Sequence, residues 1–492
     1  MIFNSLQFML FLPIVFAAYW SVKFSRRLQN FLVIVASYVF YGWWDWRFLI
    51  LIAFTSVCSY SASLLISDLQ EKEKKTSAKW VSGVNIAINL LILGVFKYYN
   101  FFADSFSSLL HTFGVEADFV TLHVVLPVGI SFYTFQALSY SIDVYRGSIP
   151  ATRDLPAFLA FISFFPQLVA GPIERATNLL PQFLKDRRFD YGMAADGTRQ
   201  MLWGFFKKML VADNCAVVAN HIFGTYETQN SVQLIGGALM FTFQIYGDFS
   251  GYSDIAIGCA KIFGIRLKRN FDVPYFSRNV AEFWKRWHIS LNTWFVDYIY
   301  IPLGGSRRGT TRTFVNTMVI FAVSGLWHGA NWTFVAWGLY HGLLFLPLIL
   351  LGSTKKYAKS AATIAELPQM LLTFALVVIG WIFFRADSIS QAFDYMVRIC
   401  DPSLLPTGAK GLGQFIKPAY WIVAMLAVEW LTRRSAHNFR LFDGELCVPS
   451  AVSGVWGRLS GNAVFRYALY LVFIMTILIC GGQQTAFIYF QF

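Results

Sequence analysis

Two of the seven histidines in this chain of 492 residues sit where an imidazole is costly. His328 lies in Gly325-Leu326-Trp327-His328-Gly329-Ala330-Asn331-Trp332, between two tryptophans and two glycines, inside a long apolar run. His288 lies upstream in Phe283-Trp284-Lys285-Arg286-Trp287-His288-Ile289-Ser290-Leu291. A polar ring at membrane depth marks a functional site by default. An imidazole that titrates near neutrality can take the proton of a hydroxyl nucleophile, the step that acyl transfer to an alcohol needs. Gly325 and Gly329 let another backbone or a ligand come close. The plainer reading makes His328 an interfacial ring satisfied by a carbonyl, with Trp327 and Trp332 as belt residues.

Around His288 the basic pair Lys285 and Arg286 suits the phosphates of a coenzyme or a phosphopantetheine arm. His288 and Asn292, four residues apart, share one helix face and could meet the reactive end of such a donor. The competing reading is a membrane-surface helix whose basic residues meet lipid phosphates. Asp248 and Asp254 are carboxylates inside an apolar stretch, and the Gly, Ser and Tyr residues around them equally suit helix packing. Pro172 and Glu174 are expected to shape a chain break. The segment Phe487-Ile488-Tyr489-Phe490-Gln491-Phe492 has four aromatics, no charge and one hydroxyl, on Tyr489. Terminal segments are normally frayed and polar, so the stretch 483–492 is expected to dock against protein. It reads as an aromatic anchor or as an acyl carrier.

The frame that holds these residues is set by composition. Hydrophobic residues make up 56% of the chain and charged ones only 14%; the mean hydropathy is +0.52. Soluble domains carry about 25% charged residues, so this is a polytopic membrane protein. The net charge of +13 comes in short clusters between apolar runs, the pattern of cytoplasmic loops and not of a nucleic-acid surface. The six cysteines (Cys58, Cys215, Cys259, Cys400, Cys447 and Cys480) show neither CxxC pairing nor metal-ligand spacing, so no metal site is expected. There is no GxSxG elbow, P-loop, HExxH or dinucleotide fingerprint.

Twelve apolar stretches approach the roughly twenty residues that span a bilayer: 5–21, 29–44, 48–67, 81–103, 121–145, 199–222, 233–260, 313–329, 331–351, 366–385, 417–432 and 465–482. Met1–Trp20 has no basic lead and no cleavage pattern, and reads as a retained first helix. Lys23, Arg26 and Arg27 follow the first stretch and Lys72, Lys74, Lys75 and Lys79 the third, whereas 104–120 carries no basic residue. This bias predicts that both termini face away from the cytoplasm. Two regions are expected to enter from the cytoplasmic side without crossing: Leu155–Ala170, and the basic stretch Lys261–Arg312 around His288. Irregular backbone at that depth requires a cavity. No repeat or soluble domain interrupts the chain, which reads as a single membrane domain over 1–492. His288 and His328 are accordingly expected as two stations along a tunnel, one reached from each side, and not as a compact dyad.

Several stretches together resemble the membrane-bound O-acyltransferase family: Pro127 to Phe135, Tyr246 to Asp254, Asn270 to Gly304, and Trp327-His328-Gly329. The opening Phe3 to Phe8 and the stretch Tyr38 to Trp44 look like its alginate O-acetyltransferase branch, which also holds peptidoglycan O-acetyltransferases. The resemblance implies an all-α fold of about 11–12 transmembrane helices, with re-entrant helices, ringed around a central tunnel. It places the family's catalytic histidine on His328 and a second active-site position on His288. It makes Tyr489 an acyl relay, with Arg286, Trp287, Asn292 and Trp327 as candidates for donor or substrate binding. The expected activity is transfer of acetyl from a cytoplasmic thioester, acetyl-CoA or an acyl carrier protein, to an extracytoplasmic polysaccharide. An SGNH-type transferase would be the outer partner, the bacterial inner membrane the location, and no bound cofactor is expected. D-alanyl or other acyl transfer to a cell-wall polymer, and secondary transport of an envelope precursor, are the alternatives.

Overall fold

A computed structural model describes the chain apart from residues 116–118, 120–126, 170, 358–359, 361, 407, 409–410, 435–458, 460 and 489–492. Every regular element among the described residues is helical. Eleven of the twelve apolar stretches fall mainly on helix, and 121–145 is helical over Ile130–Tyr145, because hydrocarbon offers no partner for a free backbone N–H or C=O. Among the described residues, five helical segments are long and apolar enough to cross a membrane: Trp46–Glu71, Lys75–Thr112, Trp332–Leu350, Ile364–Arg385 and Ala463–Cys480. Several of the others, although helical, bury charges such as Lys208 and Asp248. The protein is a multi-pass membrane protein.

The chain divides into two compact units, Met1–Ala195 with Cys259–Lys268, and Asp196–Gly258 with Arg269–Phe492. The first unit holds α1 (Leu6–Ser21), α2 (Arg26–Gly42), α3 (Leu49–Glu71), α4 (Lys75–Leu93), α5 (Tyr99–Thr112), α6 (Ile130–Tyr145), α7 (Leu155–Ser163), α8 (Phe165–Leu168) and α9 (Ala176–Phe183). Helices α3, α4 and α6 pack through small polar groups: Asn85 Nδ2 on α4 donates to Ser141 Oγ on α6 at 2.9 Å, and Ser59 Oγ on α3 donates to Asn85 Oδ1 at 3.4 Å. Such residues let helices associate where lipid removes the hydrophobic drive. The loop expected from residue 104 begins later. A π-helical turn, Gly94–Tyr98, joins α4 to α5, and the helix continues to Thr112. Within the segment expected to enter without crossing, Leu155–Ser163 and Phe165–Leu168 form two short helices, the longer of nine residues. At 1.5 Å per residue that is about 14 Å, half the thickness of a bilayer core, so it cannot cross.

The second unit holds most of α10 (Tyr191–Phe205), a π-helical turn at Phe206–Ala212, α11 (Asp213–Gly224) and α12 (Ser231–Ile262) to Gly258. It continues with α13 (Val280–Arg286), α14 (Ile289–Phe295), α15 (Thr310–His328), α16 (Trp332–Leu344), α17 (Leu346–Leu350), α18 (Leu367–Arg385), α19 (Ile389–Ile399), α20 (Ile416–Leu431) and α21 (Ala463–Cys480). Helix α21 buries only Ile477 and exposes Leu471, Val472, Leu478 and Ile479, as a lipid-facing helix should. Helices α15 and α16 form a hairpin at Gly329-Ala330-Asn331. Asn331 caps α16 by accepting from the Thr333 N–H at 3.0 Å, so the second helix starts as soon as the first ends. A Cβ on Gly325 would stand 2.2 Å from the Phe334 carbonyl oxygen. Only glycine permits that approach, and the visitor there is a backbone, not a ligand.

Candidate active site

His328 is the last residue of α15, where extended Gly329 (φ −167°) ends the helix. Its ring is buried and meets Trp337 edge-on at 5.0 Å, Trp327 at 5.1 Å and Phe384 at 5.4 Å between centroids. Residues from α15, α16 and α18 thus form an apolar cage that fixes the imidazole plane.

His288 occupies the junction between α13 and α14, in the left-handed conformation (φ +44°). That backbone costs a residue with a Cβ about 1 kcal/mol or more and persists only where its surroundings impose it. Asn270 imposes it here. Its carbonyl accepts the Ile289 N–H at 2.9 Å, its side-chain oxygen accepts Ser290 Oγ–H at 2.9 Å, and its amide donates to Ser253 Oγ at 3.2 Å. On the other flank the Arg286 carbonyl accepts the Asp272 N–H at 2.9 Å. The turn therefore aims the His288 ring inward, edge-on to Phe249 at 4.6 Å. In its neutral form the ring has one N–H to donate and one lone pair to accept.

The two imidazoles are 6.3 Å apart between centroids, with Trp327 touching both, at 5.7 Å from His288 and 5.1 Å from His328. The expectation of two separate stations is corrected by this distance. The hairpin ends His328 at the depth to which the short α13–α14 break carries His288, and one substrate group can touch both.

A cavity of about 640 Å³ reaches His288 from a mouth that holds Lys285 and Lys355. Between them its wall includes Trp284, Asn292, Thr317 and Ser324. Lys285 Nζ donates to the Thr354 carbonyl at 2.8 Å, and burial and then the like charge of Lys355 hold its pKa below the usual lysine value. The volume suits a long thin donor arm, mostly apolar in surroundings with a few hydrogen-bonding groups.

The remaining sequence candidates fall differently. Asn292 lines the cavity and donates to the Trp284 carbonyl at 2.6 Å, which ties α14 to α13. Arg286 pairs with Glu282 at 2.8 Å, and Arg278 holds the same carboxylate at 2.8 Å, so its guanidinium is engaged in a structural ion pair. Trp287 is buried against Phe271 at 5.0 Å and Trp381 at 4.9 Å. Tyr489 lies outside the described residues. The residues before it are docked: Phe487 and Ile488 are buried, and Phe487 packs on Tyr252 at 4.3 Å and on Phe249 at 6.1 Å. Phe249 thus touches both His288 and the C-terminal segment. Asn270 and Lys208 were not singled out in the sequence, although a pair of lysines, Lys207-Lys208, inside an apolar stretch is itself a signal.

The family model of MBOAT, the membrane-bound O-acyltransferase family, matches residues 35–356. The chain is 38% identical over 498 residues to a probable alginate O-acetylase of Pseudomonas putida, over 100% of both chains. It is 42% identical over 394 residues to a probable alginate O-acetylase of Azotobacter vinelandii, across 80% of this chain and 77% of the relative. A peptidoglycan O-acetyltransferase of Helicobacter pylori is 34% identical over 424 residues, across 80% of this chain and 78% of the relative.

Proposed function

The chain belongs to the membrane-bound O-acyltransferase family and is an acyltransferase; from that premise we propose that it draws acetyl from a cytoplasmic thioester and passes it outward to an envelope polysaccharide. The observation that carries the reading is the 6.3 Å approach to His328 of His288, which lines a cavity that also holds Lys285 and Lys355. Relatives named for O-acetylation of alginate and of peptidoglycan support acetyl as the group and a glycan as the final acceptor.

In this reading the phosphates of acetyl-CoA, or of an acyl carrier's phosphopantetheine, rest at Lys285 and Lys355, and the arm lies along the cavity. The acceptor hydroxyl, that of Tyr489 in the first transfer, attacks the thioester carbonyl. His328 takes its proton as the C–O bond forms. The C–S bond breaks, the thiolate leaves, and the proton on His328 passes to it. His288, neutral and N–H bearing, steadies the oxygen of the tetrahedral intermediate. A thioester is already activated, so no metal is called for in this scheme. An SGNH-type partner then takes acetyl from Tyr489 on the outer face of the bacterial inner membrane, where both termini lie.

The test is release of free thiol from acetyl-CoA or an acetyl-acyl carrier protein by the purified protein in lipid, with peptide mass spectrometry for acetyl on Tyr489. Turnover of either donor with label on Tyr489 is expected. A wild-type protein that turns over neither donor overturns the reading.

A further inference from the structure

Lys208, on the π-helical turn between α10 and α11, is fully buried beside two buried aspartates, Asp213 on α11 and Asp248 on α12. Its ammonium lies 2.8 Å from Asp213 Oδ1 and 2.9 Å from Asp248 Oδ1. One cation cannot satisfy two carboxylates in a low-dielectric interior, and a buried charge short of partners is expensive. Helix α12 comes this close because Gly251 passes the α10 backbone; a Cβ there would stand 2.8 Å from the Gly204 carbonyl oxygen.

The missing partners come from the C-terminal segment. Thr485 Oγ donates to Asp213 Oδ1 at 2.5 Å, and the Ile488 N–H donates to Asp248 Oδ2 at 2.7 Å. The Thr485 carbonyl accepts from Lys208 Nζ at 3.1 Å. The ammonium is thus ion-paired with Asp213 and Asp248 and donates a hydrogen bond to the Thr485 carbonyl. Each carboxylate in turn gains a second donor from the segment. The Gly482 N–H adds a bond to the Met209 carbonyl at 2.9 Å, on the same turn. The segment thus gives each of the two aspartates a hydrogen-bond donor.

The geometry points to Lys208, Asp213 and Asp248 as a latch for the C-terminal segment: a built ionic site whose ligand is the chain's own residues 482–488, which it holds against the Phe249 wall of the histidine site. These are positioning residues; they touch no reacting atom. Their bearing on transfer rests on the proposed relay at Tyr489, the residue that follows the latched Ile488. Held at Thr485 and Ile488, the segment is delivered to the outer acceptor position in one register, and one side of Phe249 reports to each.

Two substitutions leave the cation in place. Thr485→Val removes the hydroxyl from Asp213 without touching the helices, and Asp248→Asn leaves one oxygen where Lys208 and the Ile488 N–H now share two. Hydrogen exchange of the peptide covering 482–488 in the full-length protein reads the latch directly. Exchange about tenfold faster in either variant is expected from the loss of one buried hydrogen bond to a charged group, with the α15–α16 hairpin unchanged. Acetyl on Tyr489 and on the polymer should fall, and thiol release with them, and Thr485→Ser should restore all three. Unchanged exchange overturns the latch. Faster exchange with full polymer acetylation overturns its role in transfer. Loss of thiol release in the wild type counts against the proposed activity and leaves the exchange result to decide the latch.

Discussion

Gly338 crosses Phe321 so closely that a Cβ on it would stand 2.1 Å from the Phe321 carbonyl oxygen. This contact sets the spacing of α15 and α16, and with it the position of Trp337 against the His328 ring.

Gly338→Ala therefore forces the two helices apart. Overpacking of this kind costs about 1–3 kcal/mol. Thermal unfolding in lipid or detergent should show a lowered midpoint. Activity measured well below that midpoint should also fall, since the cage around His328 opens. A variant with wild-type midpoint and rate would show that the hairpin contact does not matter.

His328→Ala should leave the fold intact and lower thiol release by about a hundredfold to ten-thousandfold, the usual worth of a positioned general base. His288→Asn is the informative companion. Asparagine accepts the left-handed backbone at this position, so the unfolding midpoint should hold while the rate drops. If His328→Ala retains the wild-type rate, another group is the base.

Asn270→Ala removes two side-chain hydrogen bonds from buried partners, Ser290 and Ser253, at about 1–3 kcal/mol for a group left unsatisfied. The strained turn at His288 loses its brace. The turnover number should fall with little change in the donor KM, because the cavity mouth is untouched. A change confined to KM would place Asn270 elsewhere in the mechanism.

At the cavity mouth, Lys285→Ala and Lys355→Ala should raise the donor KM, and more at low salt than at high. Arg286→Ala should instead act on stability, since its partner Glu282 keeps only Arg278. The pH dependence has a definite sign. The Lys285 pKa is held below the usual lysine value by burial and by Lys355, so its charge is lost earlier as pH rises. Donor KM should climb on the alkaline side, and Lys355→Ala should move that climb to higher pH. A donor KM that is flat with pH in both proteins would remove Lys285 from donor binding.

Much of the architecture was legible because lipid imposes simple rules. Where they are described, apolar stretches of span length are mainly helical, and Leu155–Ser163 and Phe165–Leu168 are helices too short to cross. The α4–α5 helix ran past the expected loop because a π-helical turn let it continue. Composition alone does not show such a turn. Candidate residues were legible where a polar group was costly: His288, His328 and Asp248 each stood out against an apolar background. Lys285 and Arg286 were not separable in the sequence, since adjacent cations look alike until Glu282 is seen to take one of them.

By itself the sequence determined that this chain is helical and membrane-embedded, and which polar residues had to justify their burial, because transfer free energy depends on residue type and run length. Only the tertiary structure decided which of those residues meet. The 6.3 Å between His288 and His328 follows from a helix hairpin closed through glycine and a left-handed turn braced by Asn270. The hold of Lys208 and Asp248 on the C-terminal segment joins residues 240 or more positions apart. Contacts at that sequence separation are fixed by packing in three dimensions, and no local pattern encodes them.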